Sequence, residues 1–450
     1  MNEIQKIDTI ERNKICIKPY SENPYYWQYK ERPVLLVGAS KDHNLFQIPD
    51  IEEHLDEIKQ AGGNFVRNTM SDRKDKDFKV YPFKQLSDGK YDLNQWNEEF
   101  WKRFEKFLKF TYERDIIVQI EIWDRFDYSR QNWKIHPYNP KNNINYTSQE
   151  SGLAFEYPDH PGSNKQPFFY TTPLQMNNKV VFYYQKKFVE EILRRTLVYP
   201  HVLYCMDNET SGDPKWSIFW ATFVREKAKE ISAEIFITEM WDSRDLKHQQ
   251  HKTTFDNPEI FDYVEISQNN HQKGQVHWDN FQWVRSYLSE KPRPMNSVKI
   301  YGSDEGRFGS SKDGIERFWR LIVGGAAGAR FHRPPSGLGF SQLSIASIKS
   351  VRKLETLLKM WKMEPANHLL INRKENSAYL SAKIGTWYLV YFTDGGSVEI
   401  NFNGIGGTFT IHWINIRNGE WDKKEKIKAG TTVEIKAPGC GDWLAVIVKD

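Results

Sequence analysis

A chain of 450 residues is longer than one average domain and suits a barrel of roughly 250–350 residues carrying a small appendage. Its formal net charge of +4 comes from basic residues scattered along the chain, which argues against a dedicated nucleic-acid surface, and no window approaches the roughly 18 apolar residues of a membrane span. Three cysteines (Cys16, Cys205 and Cys440) lie far apart and are odd in number, so there is no disulfide framework and no Cys-x-x-Cys metal knuckle.

Residues 1–32 read as a lead-in of irregular or short-strand structure, in which Tyr25, Tyr26 and Trp27 either close the bottom of a barrel or start its first strand. The opening Met-Asn-Glu-Ile-Gln-Lys lacks the apolar core of a signal peptide, so the protein is expected to be cytoplasmic, or periplasmic or secreted if a signal was removed. A rhythm of short apolar runs and amphipathic stretches then begins. Pro33–Ala39, Asn64–Thr69, Ile116–Ile122, Val202–Met206, Ala233–Thr238, Phe261–Ser267, Val298–Tyr301 and Gly328–His332 read as strands buried on both faces. Helical spacing of apolar residues separates most of them, for example over Ile51–Ala61, Trp96–Glu113, Val180–Leu197 and Ile315–Val323. Eight strands alternating with helices predict a (β/α)8 TIM barrel over 33–365. Only 123–178 breaks the rhythm; rich in Tyr, Pro, Asn and Gln, it reads as an ordered loop walling a cleft. After Pro365 short strands separated by Gly-rich turns predict a small all-β sandwich over 366–450.

In a barrel of this kind, chemistry sits at the carboxyl ends of the strands. Arg67 ends strand two, Glu121 and Asp124 end strand three, and Asn208 and Glu209 end strand four. Asn269 to His271 end strand six, Glu305 follows strand seven, and Arg330 to Arg333 end strand eight. Two carboxylates across a mouth suit cleavage of a glycosidic bond, with a nearby Arg holding one ionised while burial raises the pKa of the other. The carboxyl groups placed at this mouth are Glu121, Asp124, Glu209 and Glu305; the expected substrate contacts are Arg67, Asn208, Trp241, Asn269, His271, Arg330, His332 and Arg333. The strand-eight cluster either pairs with acidic neighbours or binds the carboxylate or sulfate of an anionic sugar.

Arg67 after Asn64-Phe-Val, Asn208-Glu209 after strand four and Glu305 after strand seven, in that order, resemble the signature of clan A glycoside hydrolases, the cellulase-like, family 5-type retaining barrels. The resemblance spans roughly residues 33–363. It implies Glu209 as general acid/base, Glu305 as nucleophile, Asn208 as a contact to a sugar 2-hydroxyl, and Arg67 as the group orienting the nucleophile. This chain has Thr210 where Pro often follows the Asn-Glu pair, and Phe331-His-Arg-Pro-Pro335 where a strand-eight Trp is common. The C-terminal part resembles the small sandwich labelled collagen-binding that follows some bacterial barrels, for which packing or carbohydrate binding is the expected role. A carbohydrate substrate is expected, with no nucleic acid, no membrane span, no cofactor and no metal.

Other readings compete. Glu305 could pair with Arg307 on the surface, Glu121 and Asp124 could replace Glu209 in the chemistry, and Glu239 and Asp242 read as cleft lining. Two further classes stand beside a hydrolase of this type. One is a glycan-binding barrel without a competent carboxyl pair. The other is a metal-dependent barrel hydrolase built on His271 or on His248 and His251.

Overall fold

The computed structural model describes residues 9–70 and 78–450; the opening hexapeptide, with its missing apolar core, lies outside the described residues. Eight parallel strands form the barrel: Leu36–Ala39, Phe65–Thr69, Ile117–Asp124, Val202–Asn208, Ile237–Thr238, Val264–Glu265, Met295–Ile300 and Gly328–Phe331. They hydrogen-bond as two four-stranded sheets, two to five and six through eight to one. Main-chain bonds join the halves, among them Asn64 N–H to Val37 O at 3.0 Å and Asp262 N–H to Ile237 O at 2.8 Å. Every residue of these strands is buried, which is why they read as continuous apolar runs rather than alternating ones. Strands five and six keep only two residues each in ladder pairing, fewer than their apolar runs predict.

The helix after strand four shows how local sequence fixes an element. Asp213 caps it by accepting from Lys215 N–H, Pro214 fills the first position, and Trp216, Trp220 and Val224 recur on the buried face. The predicted loop after strand three is ordered by its own aromatics, with Tyr128 stacked on Phe168 at 4.1 Å and Trp133 buried. Most of those rings are therefore core; Phe126 alone among them reaches the mouth cavity described below.

The lead-in forms a helix, Thr9–Ile15, and a three-stranded antiparallel sheet, Lys18–Tyr20, Asn23–Tyr29 and Arg32–Val34. Trp27 plugs the barrel floor: it is fully buried, donates through Nε1 to Asn296 Oδ1 at 2.9 Å, and lies 5.2 Å from the Tyr263 ring. The first barrel strand is Leu36–Ala39, beyond this sheet.

At the other end of the chain, a six-stranded sheet faces a three-stranded one. The Tyr379 ring lies 4.7 Å from that of Trp278, and Arg320 Nη1 donates to Asn376 Oδ1 at 2.9 Å, so the sandwich packs on the barrel helices Gly274–Tyr287 and Ser311–Val323. Its outermost strand, Glu420–Lys428, has no apolar pattern to reveal it and is exposed almost throughout.

Candidate active site

Strand four ends by turning its chain sharply at Glu209, which takes φ 52°. That left-handed conformation costs a non-glycine residue about 1–3 kcal/mol and persists where surrounding contacts impose it. Here they do. Tyr301 O–H donates to Glu209 Oε1 at 2.7 Å, Gln268 Nε2 donates to the same oxygen at 2.8 Å, and Lys299 Nζ stands 2.8 Å from it. Three donors thus converge on Oε1, while Oε2 has no hydrogen bond among the described residues and is not sealed from solvent. Burial pushes the Glu209 carboxyl up, but Lys299, with Tyr301 and Gln268, more than reverses this and holds it well below the usual carboxylate range. Burial also lowers the Lys299 ammonium from its ordinary value, and Glu209 opposes that; at 2.8 Å the charged pair is the stable form.

Behind the pair lies a chain of fixed polar groups. Asn208 Oδ1 accepts from Arg67 Nη2 at 3.2 Å and from Lys299 Nζ, and its Nδ2 donates to Asp124 Oδ2 at 2.9 Å. Arg67 Nη2 also donates to Glu121 Oε2 at 2.5 Å. Glu121 and Asp124 are consequently spent on holding Arg67 and Asn208. Burial raises the Glu121 pKa, with Arg67 acting against it.

Arg67, Asn208, Glu209, His332 and Arg333 line one cavity of about 210 Å³ at the carboxyl end of the barrel, together with His43, Phe126, Lys299, Tyr301, Phe308 and Ser336. Phe308 stacks on Tyr301 at 4.2 Å with 23° between the planes, forming an apolar wall beside Glu209. His271 lies 5.2 Å from both of those rings, just outside the lining. Burial keeps His271 neutral, lowering it to about 4, and holds His332 well below its ordinary value. Arg333 Nε donates to His43 Nδ1.

The remaining expected residues lie elsewhere. Glu305 sits on the turn between Gly302 and Gly309, also in left-handed backbone at φ 52°, and is exposed; among the described residues its side chain makes no hydrogen bond or ion pair, with Arg307 or any other group. Trp241 is buried, donating through Nε1 to Thr254 Oγ1 at 2.8 Å. Asn269 is consumed by His277 O at 2.8 Å and by Asn280. Arg330 is sealed inside the barrel, with Nη1 on Val298 O at 2.8 Å and Nη2 on Ser40, and burial lowers it to about 9. Geometry therefore gives Trp241, Asn269 and Arg330 scaffold contacts in place of the substrate contacts expected of them, because each faces a helix or the barrel interior.

Missed in the sequence were Lys299, Tyr301 and Gln268. The signal was present: a lysine within Met295–Ile300, a strand buried along its whole length, must find an anion there. Asp242 was also undervalued. Its N–H donates to Thr210 O at 2.8 Å, across a bridge pairing Thr210 with Trp241, which sets it beside Glu209. Burial first, then the Glu209 charge, raises its carboxyl to about 6. His248 caps a helix through Gln250 N–H and His251 bonds Ser243 O at 2.7 Å, and no metal-holding group of three side chains occurs among the described residues.

The fold has close counterparts. The structure matches a glycoside hydrolase family 5 crystal structure from Bacteroides vulgatus at a TM-score of 0.66 and 12% identity, covering 100% of this chain and 96% of that one. A second solved structure, described only as a glycoside hydrolase, matches at 0.65 and 12%, covering 99% of each chain. These likenesses establish a barrel followed by a sandwich along the whole chain. Residues 365–448 match the family described as "Putative collagen-binding domain of a collagenase". No curated protein matches the chain.

Proposed function

We propose that this protein is a glycoside hydrolase that cleaves an O-glycosidic bond of an oligo- or polysaccharide at the carboxyl-terminal mouth of its barrel. The observation that carries this reading is Glu209: a carboxylate with one oxygen locked by three donors and the other unbonded, in a cavity walled by Tyr301 and Phe308. Stacked rings offer a flat apolar face to a sugar, and Asn208 supplies a fixed amide within the same cavity. Arg67 and Lys299 border the same cavity, each balanced by a carboxylate, Glu121 and Glu209.

Double displacement needs two carboxyl groups. One adds to the anomeric carbon as the glycosidic bond breaks, and the other gives its proton to the departing oxygen. The second then takes a proton from the water that displaces the first. The resemblance supplies Glu305 as Glu209's partner. Its turn carries Phe308 into the cavity, so closure of Gly302–Gly309 over a bound sugar is the movement that would bring Glu305 in. A retaining enzyme then holds the two carboxyls about 5–5.5 Å apart.

A second reading has its own observation. Lys299 neutralises Glu209 while Glu305 stands exposed, as in a barrel that binds glycans without cleaving them. Hydrolysis of a broad panel of neutral and anionic polysaccharides by wild type, Glu209→Gln and Glu305→Gln decides between them. Cleavage by wild type and loss in both variants supports the pair. Full activity in Glu305→Gln removes Glu305 from it, and glycan binding without any cleavage favours the second reading.

A further inference from the structure

Resting on the hydrolase reading, we propose that the barrel mouth is a pit for one terminal sugar ring, so that the enzyme works from chain ends and releases monosaccharide.

A polysaccharide cut at an internal bond enters and leaves the site on two sides, so the rim of such a site has two gaps. Here the rim is bridged from strand to strand, in good part by the groups that line the cavity. Between strands eight and one, Arg333 Nε donates to His43 Nδ1, and both side chains line the space. Between strands seven and eight, Gly302 N–H donates to Ser336 O at 2.9 Å, and the Tyr301 and His332 rings lie 5.1 Å apart. Between strands six and seven, the His271 ring lies 5.2 Å from those of Tyr301 and Phe308. Strand five is short, so Gln268 Nε2 reaches past it from strand six to Glu209 Oε1 at 2.8 Å, and Asp242 N–H joins Thr210 O at 2.8 Å. Between strands three and four, Asn208 Nδ2 donates to Asp124 Oδ2 at 2.9 Å. Main-chain bonds complete the ring, Met70 N–H to Glu121 O at 2.8 Å and Thr69 N–H to His43 O at 2.7 Å.

The long segment after strand three strengthens this closure. Its far part returns to the strand-four turn, where Asn164 Nδ2 donates to Ser211 O at 3.0 Å. Arg125 Nη1 donates to Asn164 Oδ1 at 2.9 Å, and the Phe126 ring, which lines the cavity, meets His160 edge-on at 5.5 Å. A Cβ on Gly212 would overlap Arg125 Nη2, so glycine at that position is what lets the guanidinium lie against the turn. On the far side, Arg317 Nη1 donates to Phe308 O at 2.8 Å and holds the aromatic wall in place.

Size agrees with this shape. The space inside the rim is about 210 Å³, below the roughly 300–1,000 Å³ of pockets that enclose a drug-sized ligand. One sugar ring fits against the Tyr301–Phe308 stack, and a second has no room beside it. The rest of the chain then leaves outward along the barrel axis. The closure that would bring Glu305 in narrows the space further.

Hexasaccharides of a glucan, a mannan, a xylan and a galacturonan, labelled at the reducing end, test this together with their parent polymers. With wild type, the expected products are monosaccharide and a chain one ring shorter. Reducing ends should accumulate while the viscosity of the polymer hardly falls. Internal fragments among the first products, with a steep fall in viscosity, overturn the pit and leave the hydrolase reading standing. Binding is read separately with Glu209→Gln, in which the chain stays uncut. Saturation passed from protein to ligand in proton NMR should reach one terminal ring and spare the internal ones. Equal saturation of several successive rings overturns the proposal. A saturated terminal ring without cleavage of any substrate by wild type keeps the pit and refutes the hydrolase reading, whereas neither binding nor cleavage refutes both.

Discussion

Arg67 Nη2 lies 2.5 Å from Glu121 Oε2, and both side chains are sealed inside the barrel. Removing water from two ions is costly, so such a pair holds only while both members remain. Arg67→Met should therefore destabilise the protein by about 3–5 kcal/mol, because Glu121 is left buried without its cation. The double variant Arg67→Met/Glu121→Leu should recover most of that loss. Urea denaturation of the four members of this cycle measures both; additive single effects would mean the two side chains act independently.

The Glu209–Lys299 pair predicts a particular dependence of stability on pH. A carboxyl whose folded pKa is depressed stabilises the fold above its unfolded value, about 4.3 for glutamate, and loses that contribution as pH falls towards the folded value. Without Lys299, burial of Glu209 is opposed by Tyr301 and Gln268 only, so its pKa rises and the variant loses stability relative to wild type as pH rises. Wild type should exceed Lys299→Met in stability most clearly above about pH 6, and the gap should narrow steadily below about pH 4. Denaturant midpoints across that range give the answer, and a gap independent of pH would show that Lys299 acts through packing alone.

Much of this was legible in the residues and some was not, for definable reasons. The barrel strands announce themselves because burial on both faces demands apolar runs such as Val202-Leu-Tyr-Cys-Met206. Asn208 and Glu209 could be placed at the mouth from that run alone. Lys299 could not, since its value comes from Glu209, 90 residues away in sequence, and only closure of the barrel joins strands four and seven. Glu305 was read from its order after strand seven, but order does not say whether a turn faces in or out. Arg330 carried the reverse ambiguity. An arginine at a strand end reads as a ligand group, yet residues of that strand alternate between the barrel interior and the helix layer, where Phe331 meets Phe318, and here the guanidinium falls inside against Val298 O. Glu420–Lys428 was invisible because an edge strand is held by its backbone and needs no apolar face.

That edge strand carries its own prediction. Its free side would template pairing with another chain, and Lys423, Lys424, Lys426 and Lys428 discourage this by charge. Replacing Lys424 and Lys428 by Val should change the melting temperature little, since the strand is exposed, but should promote association on standing. Light scattering against concentration reads it directly. An unchanged monomer-to-aggregate balance would mean that other features of the sandwich protect its edge.

Asp242 gives the sharpest pH test of the site. Its folded pKa is raised to about 6, by burial first and then by the negative Glu209, with Lys299, Arg244 and Arg307 opposing. For an acid raised in this way, the contribution to stability is full below the unfolded value, about 3.9 for aspartate, and is lost as pH rises through about 6. Asp242→Asn escapes that loss. The variant should be more stable than wild type near about pH 7.5 and should match it below about pH 4. Urea midpoints of wild type and Asp242→Asn measured between about pH 4 and 8 read this difference. A gap that stays the same as pH rises would mean that the Asp242 carboxyl is no electrostatic burden on the fold.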